Sequence, residues 1–262
     1  MEIAIGIFIF ILGSIVGSFL NVCIVRMPKE ESVVRPRSHC VHCKKTILWH
    51  DNVPLLSFFL LKGRCRFCKA KISWRYVLVE LLTALSFLGF YLYFGLAPIL
   101  WPYLVMLSGF IIATFVDIEH RIIPDEVTIG GMGVGFVFSL LVPQLHQTDQ
   151  HLVAGLRSLL GILVGGGAIY LMGLLGDFIF KKESMGGGDV KFMAMVGAFL
   201  GWKLAVLAFF IAPFFGAIIG IIVKIRTKES LIPYGPFLVI GSLIALFFSK
   251  EILGWLFNLY GV

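Results

Sequence analysis

Apolar residues in this chain fall into long unbroken runs separated by short polar or charged stretches. The runs do not alternate with the period of two expected of a half-buried strand. Several reach the roughly 20 residues that a helix needs to cross a bilayer. In lipid every backbone N–H and C=O must be satisfied inside the structure, so continuous runs of this length read as membrane helices. The expected spans cover about residues 3–25, 76–94, 99–116, 125–142, 152–180, 189–200, 204–223 and 231–248. Gly95, Pro98, the polar stretch 143–151, the glycine run 186–188 and Gly201 punctuate them. The fold class expected is an all-α polytopic membrane protein of about eight transmembrane helices. Residues 1–25 form the first helix, 26–75 a polar insert, and 76–262 a larger helical bundle. The N-terminal run lacks a basic leading segment and is long enough to span, so it reads as a membrane helix and not as a cleavable signal.

Composition strengthens this picture. The chain is 59% hydrophobic and 14% charged, with mean hydropathy +0.97, whereas soluble domains carry about a quarter charged residues. Charge then sets the orientation. The net charge is +7, but 12 of the 22 basic residues lie between Arg26 and Arg75. A basic stretch flanked by spans marks the cytoplasmic side. With the insert inside, Arg157, Lys203 and Lys250 are the only basic residues expected outside. The location of the charge explains it, and no nucleic-acid partner is inferred; the implied partner is the lipid bilayer.

The insert contains two C-x-x-C pairs, Cys40 with Cys43 and Cys65 with Cys68, separated by 21 residues. Four thiolates on two tight turns suit a tetrahedral zinc ion, which would organise a segment too small for a core of its own. Two disulfides or four free thiols are the alternatives, and a cytoplasmic position argues against disulfides. A closed four-thiolate site offers no position to a substrate, so a metal there would be structural. Cys23, inside the first span, reads as a small buried residue.

Acids are costly within spans, so their positions are informative. Asp117 ends the apolar run 110–116, and Asp189 follows Gly186, Gly187 and Gly188. Two carboxylates brought together share one proton: one acts as base toward water while the other polarises a carbonyl. Asp125, after Pro124 and before Glu126, reads instead as a first-turn helix acid. Asp189 could also cap a helix. Asp117 closes one, where the dipole disfavours an acid, and so has the weakest structural reason to be there. The glycine run admits close approach of an extended backbone, or is simply a flexible loop. On these residues alone an aspartyl protease and a proton-coupled transporter stand level.

Taken together, the motifs resemble those of the type IV prepilin peptidase family (leader peptidase/N-methyltransferase), in the same order along essentially the whole chain. The resembling elements are Gly17 to Val22, the paired C-x-x-C insert, Asp51 to Ser57 and Arg75 through Glu80. Asp117 through Ile123, Pro124 and Asp125 follows, then Gly186, Gly188, Asp189 and Lys191, and last Pro233, Gly235, Pro236 and Phe237. The resemblance implies that Asp117 and Asp189 are the catalytic pair, supported by Gly186, Gly188 and a nearby Lys191. It implies removal of a short basic leader from prepilins or pseudopilins at the cytoplasmic face of the bacterial inner membrane. Methylation of the new N-terminus with S-adenosylmethionine would follow. Hydrolysis itself needs no metal. The insert is expected to be zinc-ribbon-like. This chain departs from the pattern in having Gly187 where a bulky residue is usual, and in a long 143–151 loop. It shows no Rossmann-type cofactor fingerprint, so cofactor-binding residues are not assigned. Gly17 to Val22 and the insert are implicated in methylation only by the resemblance; Gly17, Ser18 and Asn21 could equally form a stripe that packs helices. A transporter would carry acids near the midplane and show internal repeats, neither of which appears. An assembly factor would tolerate loss of either aspartate.

Overall fold

The computed structural model describes residues 2–181, 185–227 and 232–259. The expected loop 181–188 and the basic loop 224–229 fall partly outside these, as does the expected start of the last span at Leu231. Among the described residues there are eight α-helices and no named strand: α1 (Glu2–Arg26), α2 (Leu56–Leu60), α3 (Trp74–Phe94), α4 (Leu100–His120), α5 (Asp125–Leu141), α6 (His151–Phe180), α7 (Gly187–Thr227) and α8 (Gly235–Leu259). The chain divides into two compact units, Met1–Phe115 and Val116–Val262, with the boundary inside α4.

In the first unit α1 packs on α3. The two backbones approach so closely that a Cβ on Gly17 would lie 2.8 Å from the Glu80 Cα, so only glycine fits. Such small-residue contacts replace the hydrophobic drive that is missing between helices in lipid. The seam is polar near its insert end, where Ser14, Asn21, Glu80 and Thr83 are buried. The Thr83 hydroxyl returns to the Val79 carbonyl at 2.7 Å and the Ser14 hydroxyl to Ile11 at 2.8 Å. Rings of Phe90 and Phe94 meet Tyr103 of α4. Cys23 is buried as expected, 1% exposed.

In the second unit α6 and α8 pack on α7, and α5 packs on α6 and α7. Six helices among the described residues are long and apolar enough to cross a membrane. Two more of the expected eight are present in other form. The 17-residue α5 rises about 26 Å, a little short of the ~30 Å hydrocarbon core. The helix α7 is two arms, because Gly201 has φ 77° and ψ 168°. A Cβ on Gly165 of α6 would lie 2.5 Å from the Met193 carbonyl and 3.4 Å from the Ala205 Cβ. In a straight helix residues 193 and 205 stand about 18 Å apart, so the chain folds back at Gly201.

A break of this kind frees a helical carbonyl, which is costly in lipid. The Ala198 carbonyl accepts from His146 Nε2 at 3.1 Å and from the Ser158 hydroxyl at 2.9 Å. The first arm lies against α6 with almost no gap: a Cβ on Gly161 would fall 2.0 Å from the Gly197 carbonyl oxygen.

Candidate active site

Asp117 occupies the last turn of α4. The helix runs on to His120, further than the apolar run suggested, and stops where Arg121 turns left-handed at φ 57°. Asp117 is 6% exposed. Its Oδ2 accepts the backbone N–H of Gly235, the first residue of α8, at 2.7 Å. The positive end of α8 therefore offsets the unfavourable C-terminal position on α4. A Cβ on Gly235 would lie 2.9 Å from the same oxygen, so a side chain there would displace the amide or the carboxylate.

Asp189 enters through the first turn of α7, with its N–H 3.1 Å from the Gly186 carbonyl. A Cβ on Gly188 would meet the Ile123 Cβ at 3.4 Å, so Gly188 seats the second aspartate motif against the first. Asp117 lies within electrostatic reach of Asp189, the other member of the expected pair. Tyr234 also faces Asp189. Burial and the Asp189 charge push its phenol up to about 12, which keeps it protonated and able to donate. Tyr234 and Gly235 were not singled out for chemistry in the sequence. The signal lay in an aromatic hydroxyl and a glycine placed between two prolines, Pro233 and Pro236.

Lys191 stands elsewhere than expected. Its Nζ binds both oxygens of Asp125, at 2.7 and 2.9 Å. Lys191 is the fifth residue of α7, just past its first turn, from where its side chain reaches the N-terminus of α5. Asp125 is thus a first-turn helix acid as read, with Pro124 before it as the N-cap.

The insert of the first unit is built from two matching knuckles. Lys44 N–H binds the Cys40 carbonyl at 2.9 Å and Lys69 N–H that of Cys65 at 3.0 Å; Cys40 N–H binds Lys45 and Cys65 N–H binds Ala70 at 3.0 and 2.9 Å. Lys44 and Lys69 share the same φ of 59°. Isolated bridges follow each knuckle, His39 with Thr46 and Arg64 with Lys71. The four sulfur atoms lie within 4.8 Å of one another, Cys40 and Cys68 at 3.7 Å. Tetrahedral zinc–thiolate bonds of about 2.3 Å set sulfurs roughly 3.8 Å apart, so the donor set fits that ion. All four thiols are free. The amides of Cys68 and Phe67 pull the Cys65 thiol down to about 6, while the neighbouring thiols push Cys68 up to about 11, so within the cluster one thiolate forms ahead of another. His42 is exposed.

A second polar site lies on the α1–α3 seam. The Glu80 Oε2 accepts the Leu55 N–H at 2.7 Å, and the Ser18 hydroxyl lies beside this carboxylate. Leu55 has φ 62° and ψ −55°, with Leu56 N–H bound to the Pro54 carbonyl at 2.6 Å. This is a positive-φ γ-turn on a branched residue, strained by about 1–3 kcal/mol. The same loop is tied to the second knuckle by a two-point ion pair, Arg66 to Asp51 at 2.7 and 2.6 Å. Asn21 donates to the carbonyls of Tyr76 and Gly17 at 3.0 and 3.3 Å. Its Oδ1, on a side chain 2% exposed, has no partner.

Helices, a buried Asp117 with Asp189 within its electrostatic reach, and a cysteine-knuckle insert define a polytopic membrane protein with a carboxylate-lined site. Family comparison makes this particular. Residues 11–94 match the bacterial peptidase A24 N-terminal domain, and 104–221 match the type IV leader peptidase family. The chain is 36% identical over 260 residues to a type 4 prepilin-like proteins leader peptide-processing enzyme of Escherichia coli O78:H11, covering 90% of this chain and 91% of that one. It is 35% identical to a prepilin leader peptidase/N-methyltransferase of Aeromonas hydrophila, covering 94% and 92%. A Myxococcus xanthus protein described in the same words is 39% identical over 227 residues, which are 86% of this chain and 65% of that longer relative. The chain belongs to the type IV leader peptidase family. No solved structure matches it.

Proposed function

We propose that this protein is a membrane-embedded aspartyl endopeptidase that removes the leader of type IV prepilins or pseudopilins. Asp117 and Asp189 would act as the pair. The observation that carries the reading is that two acids more than seventy residues apart in sequence come within electrostatic reach of each other, as a pair that shares one proton requires. One carboxylate takes a proton from water as it attacks the scissile carbonyl, and the other donates to that carbonyl. The Gly235 N–H holds Asp117 in place, and the Tyr234 hydroxyl is a further donor beside Asp189. The distribution of basic residues supports a site at the cytoplasmic face of the bacterial inner membrane. Cys40, Cys43, Cys65 and Cys68 would hold a structural zinc ion, outside the hydrolytic step.

The names of the relatives support a second activity, methylation of the new N-terminal amine by S-adenosylmethionine, whose methyl sulfonium supplies the transferred carbon. The test is cleavage of a prepilin by reconstituted wild-type and Asp189→Asn protein with S-adenosylmethionine present, read by mass spectrometry. Loss of the leader with wild type alone, and a further methyl mass on the product, supports both activities. Equal processing by both proteins overturns the aspartyl mechanism.

A further inference from the structure

We propose that the α1–α3 seam around Glu80 and Asn21 is the site that receives the N-terminal amine to be methylated. This rests on the methyltransferase reading above and gives it a place in the chain. A primary amine presents N–H donors and, when protonated, one positive charge. A site for it needs acceptors that converge, a negative charge, and no fixed cation in competition. The seam supplies the acceptors from two helices. Glu80 is 8% exposed; the Leu55 amide that binds its carboxylate and the Ser18 hydroxyl beside it are both neutral. A carboxylate within a span is expensive without a function.

Asn21 adds the second acceptor, one helical turn along α1 from Ser18. Its orientation is fixed by its own bonds: Nδ2 addresses two carbonyl oxygens, and the flipped amide would set oxygen against oxygen. Its Oδ1 is therefore a true acceptor, buried and awaiting a donor. Leu55 explains how the site stays closed without an amine. Its N–H occupies Glu80 only by holding the Leu55 turn in a strained conformation. An arriving ammonium replaces a neutral donor with a charged one, and release of the turn relieves the strain. The exposed side chains of Leu56, Phe59 and Leu60 just beyond the turn offer an apolar rim to the residues that follow the amine.

The chemistry closes. The ammonium gives one proton to Glu80, which passes it to water. The amine lone pair then forms the N–C bond as the C–S bond breaks, and that electron pair leaves on sulfur as a neutral thioether. The product is a secondary ammonium, with one proton released overall.

The alternative is that Glu80 merely anchors the loop. Glu80→Gln separates the two, because glutamine keeps an acceptor for the Leu55 N–H and loses the charge. The probes are a leaderless peptide with a free N-terminus and its N-acetyl counterpart, presented to the full-length protein in detergent. Wild type should bind the free-amine peptide the more tightly. Glu80→Gln and Asn21→Leu should weaken that binding about tenfold or more, leave N-acetyl binding unchanged, and lower methylation of the free-amine peptide with S-adenosylmethionine through KM. Removal of an intact leader by Glu80→Gln should stay within about twofold of wild type, since the peptidase pair is elsewhere in the chain. Equal binding of the two peptides by wild type overturns the site even if both variants misfold. So does wild-type methylation by Glu80→Gln. A wild type that cleaves but methylates nothing, while preferring the free amine, overturns the methyltransferase reading and leaves the amine site standing.

Discussion

Two buried carboxylates in this chain are held in the same way and differ in what faces them. Asp117 accepts the N–H of Gly235, and Glu80 accepts the N–H of Leu55, at 2.7 Å in each case. Both donors lie far from the acid in sequence, so each bond fixes tertiary structure as well as charge. Asp117 then has a second carboxylate, Asp189, within electrostatic reach, whereas Glu80 shares its seam with an unpaired amide oxygen on Asn21. Like charges that cannot both ionise make an acid–base pair suited to hydrolysis. A carboxylate whose neighbours are neutral makes a place for a cation. One backbone device thus serves opposite electrostatic ends, and the neighbour decides which.

The largest expected effects test the peptidase side of this contrast. Asp117→Asn and Asp189→Asn should each lower leader removal by about 10³-fold or more while membrane insertion is retained; quantified cleavage by either variant near the wild-type rate would remove that residue from the pair. Gly235→Ala should lower cleavage by about 10–10²-fold through loss of one aligned donor. Gly161→Ala places its methyl against the Gly197 carbonyl and should destabilise the second unit by about 1–3 kcal/mol. Thermal melts and cleavage rates of the two glycine variants then distinguish a glycine that shapes the site from one that only packs helices. In the first unit, Cys40→Ser should reduce bound zinc from about one ion per chain toward none. Proteolysis within 27–73 should rise with it, and a variant that keeps full metal content would count against the four-thiolate site.

The smallest effect concerns pH. Burial holds the His146 pKa below its ordinary value. The fold therefore favours the neutral ring, and its contribution is fully present above the unfolded pKa of about 6.5 and lost as pH falls through the lower folded value. His146→Phe should flatten that part of the stability profile and leave the Ala198 carbonyl with the Ser158 hydroxyl alone.

Most of the architecture was legible because lipid leaves the backbone so few choices. Span positions, the cysteine knuckles and the two aspartates all follow from apolar length, thiol spacing and the cost of a misplaced acid. The two-arm form of α7 was legible as two spans, since Gly201 interrupts the run, although the carbonyl it frees and the side chains that satisfy it come from 40 to 52 residues away. The sequence was least informative where a role depends on a neighbour. Lys191 sits two residues from Asp189 but its charge is spent on Asp125. Tyr234 is marked only by its place between two prolines, which does not say what it faces, and Asn21 passes for a helix-packing residue until its carbonyl partners are known. Spacing along one helix reports which face a residue shares; it cannot report which distant amide or carboxylate will meet it.

The break at Gly201 also bears on the membrane itself. The arm from Gly187 to Leu200 rises only about 21 Å, against ~30 Å of hydrocarbon. Such hydrophobic mismatch is relieved by thinning the bilayer, or by letting one end of the helix lie below the interface. Asp189 stands at the start of that arm. Bilayer thickness therefore becomes a determinant of how deep this carboxylate lies, and lipids of longer acyl chain should draw it further from water.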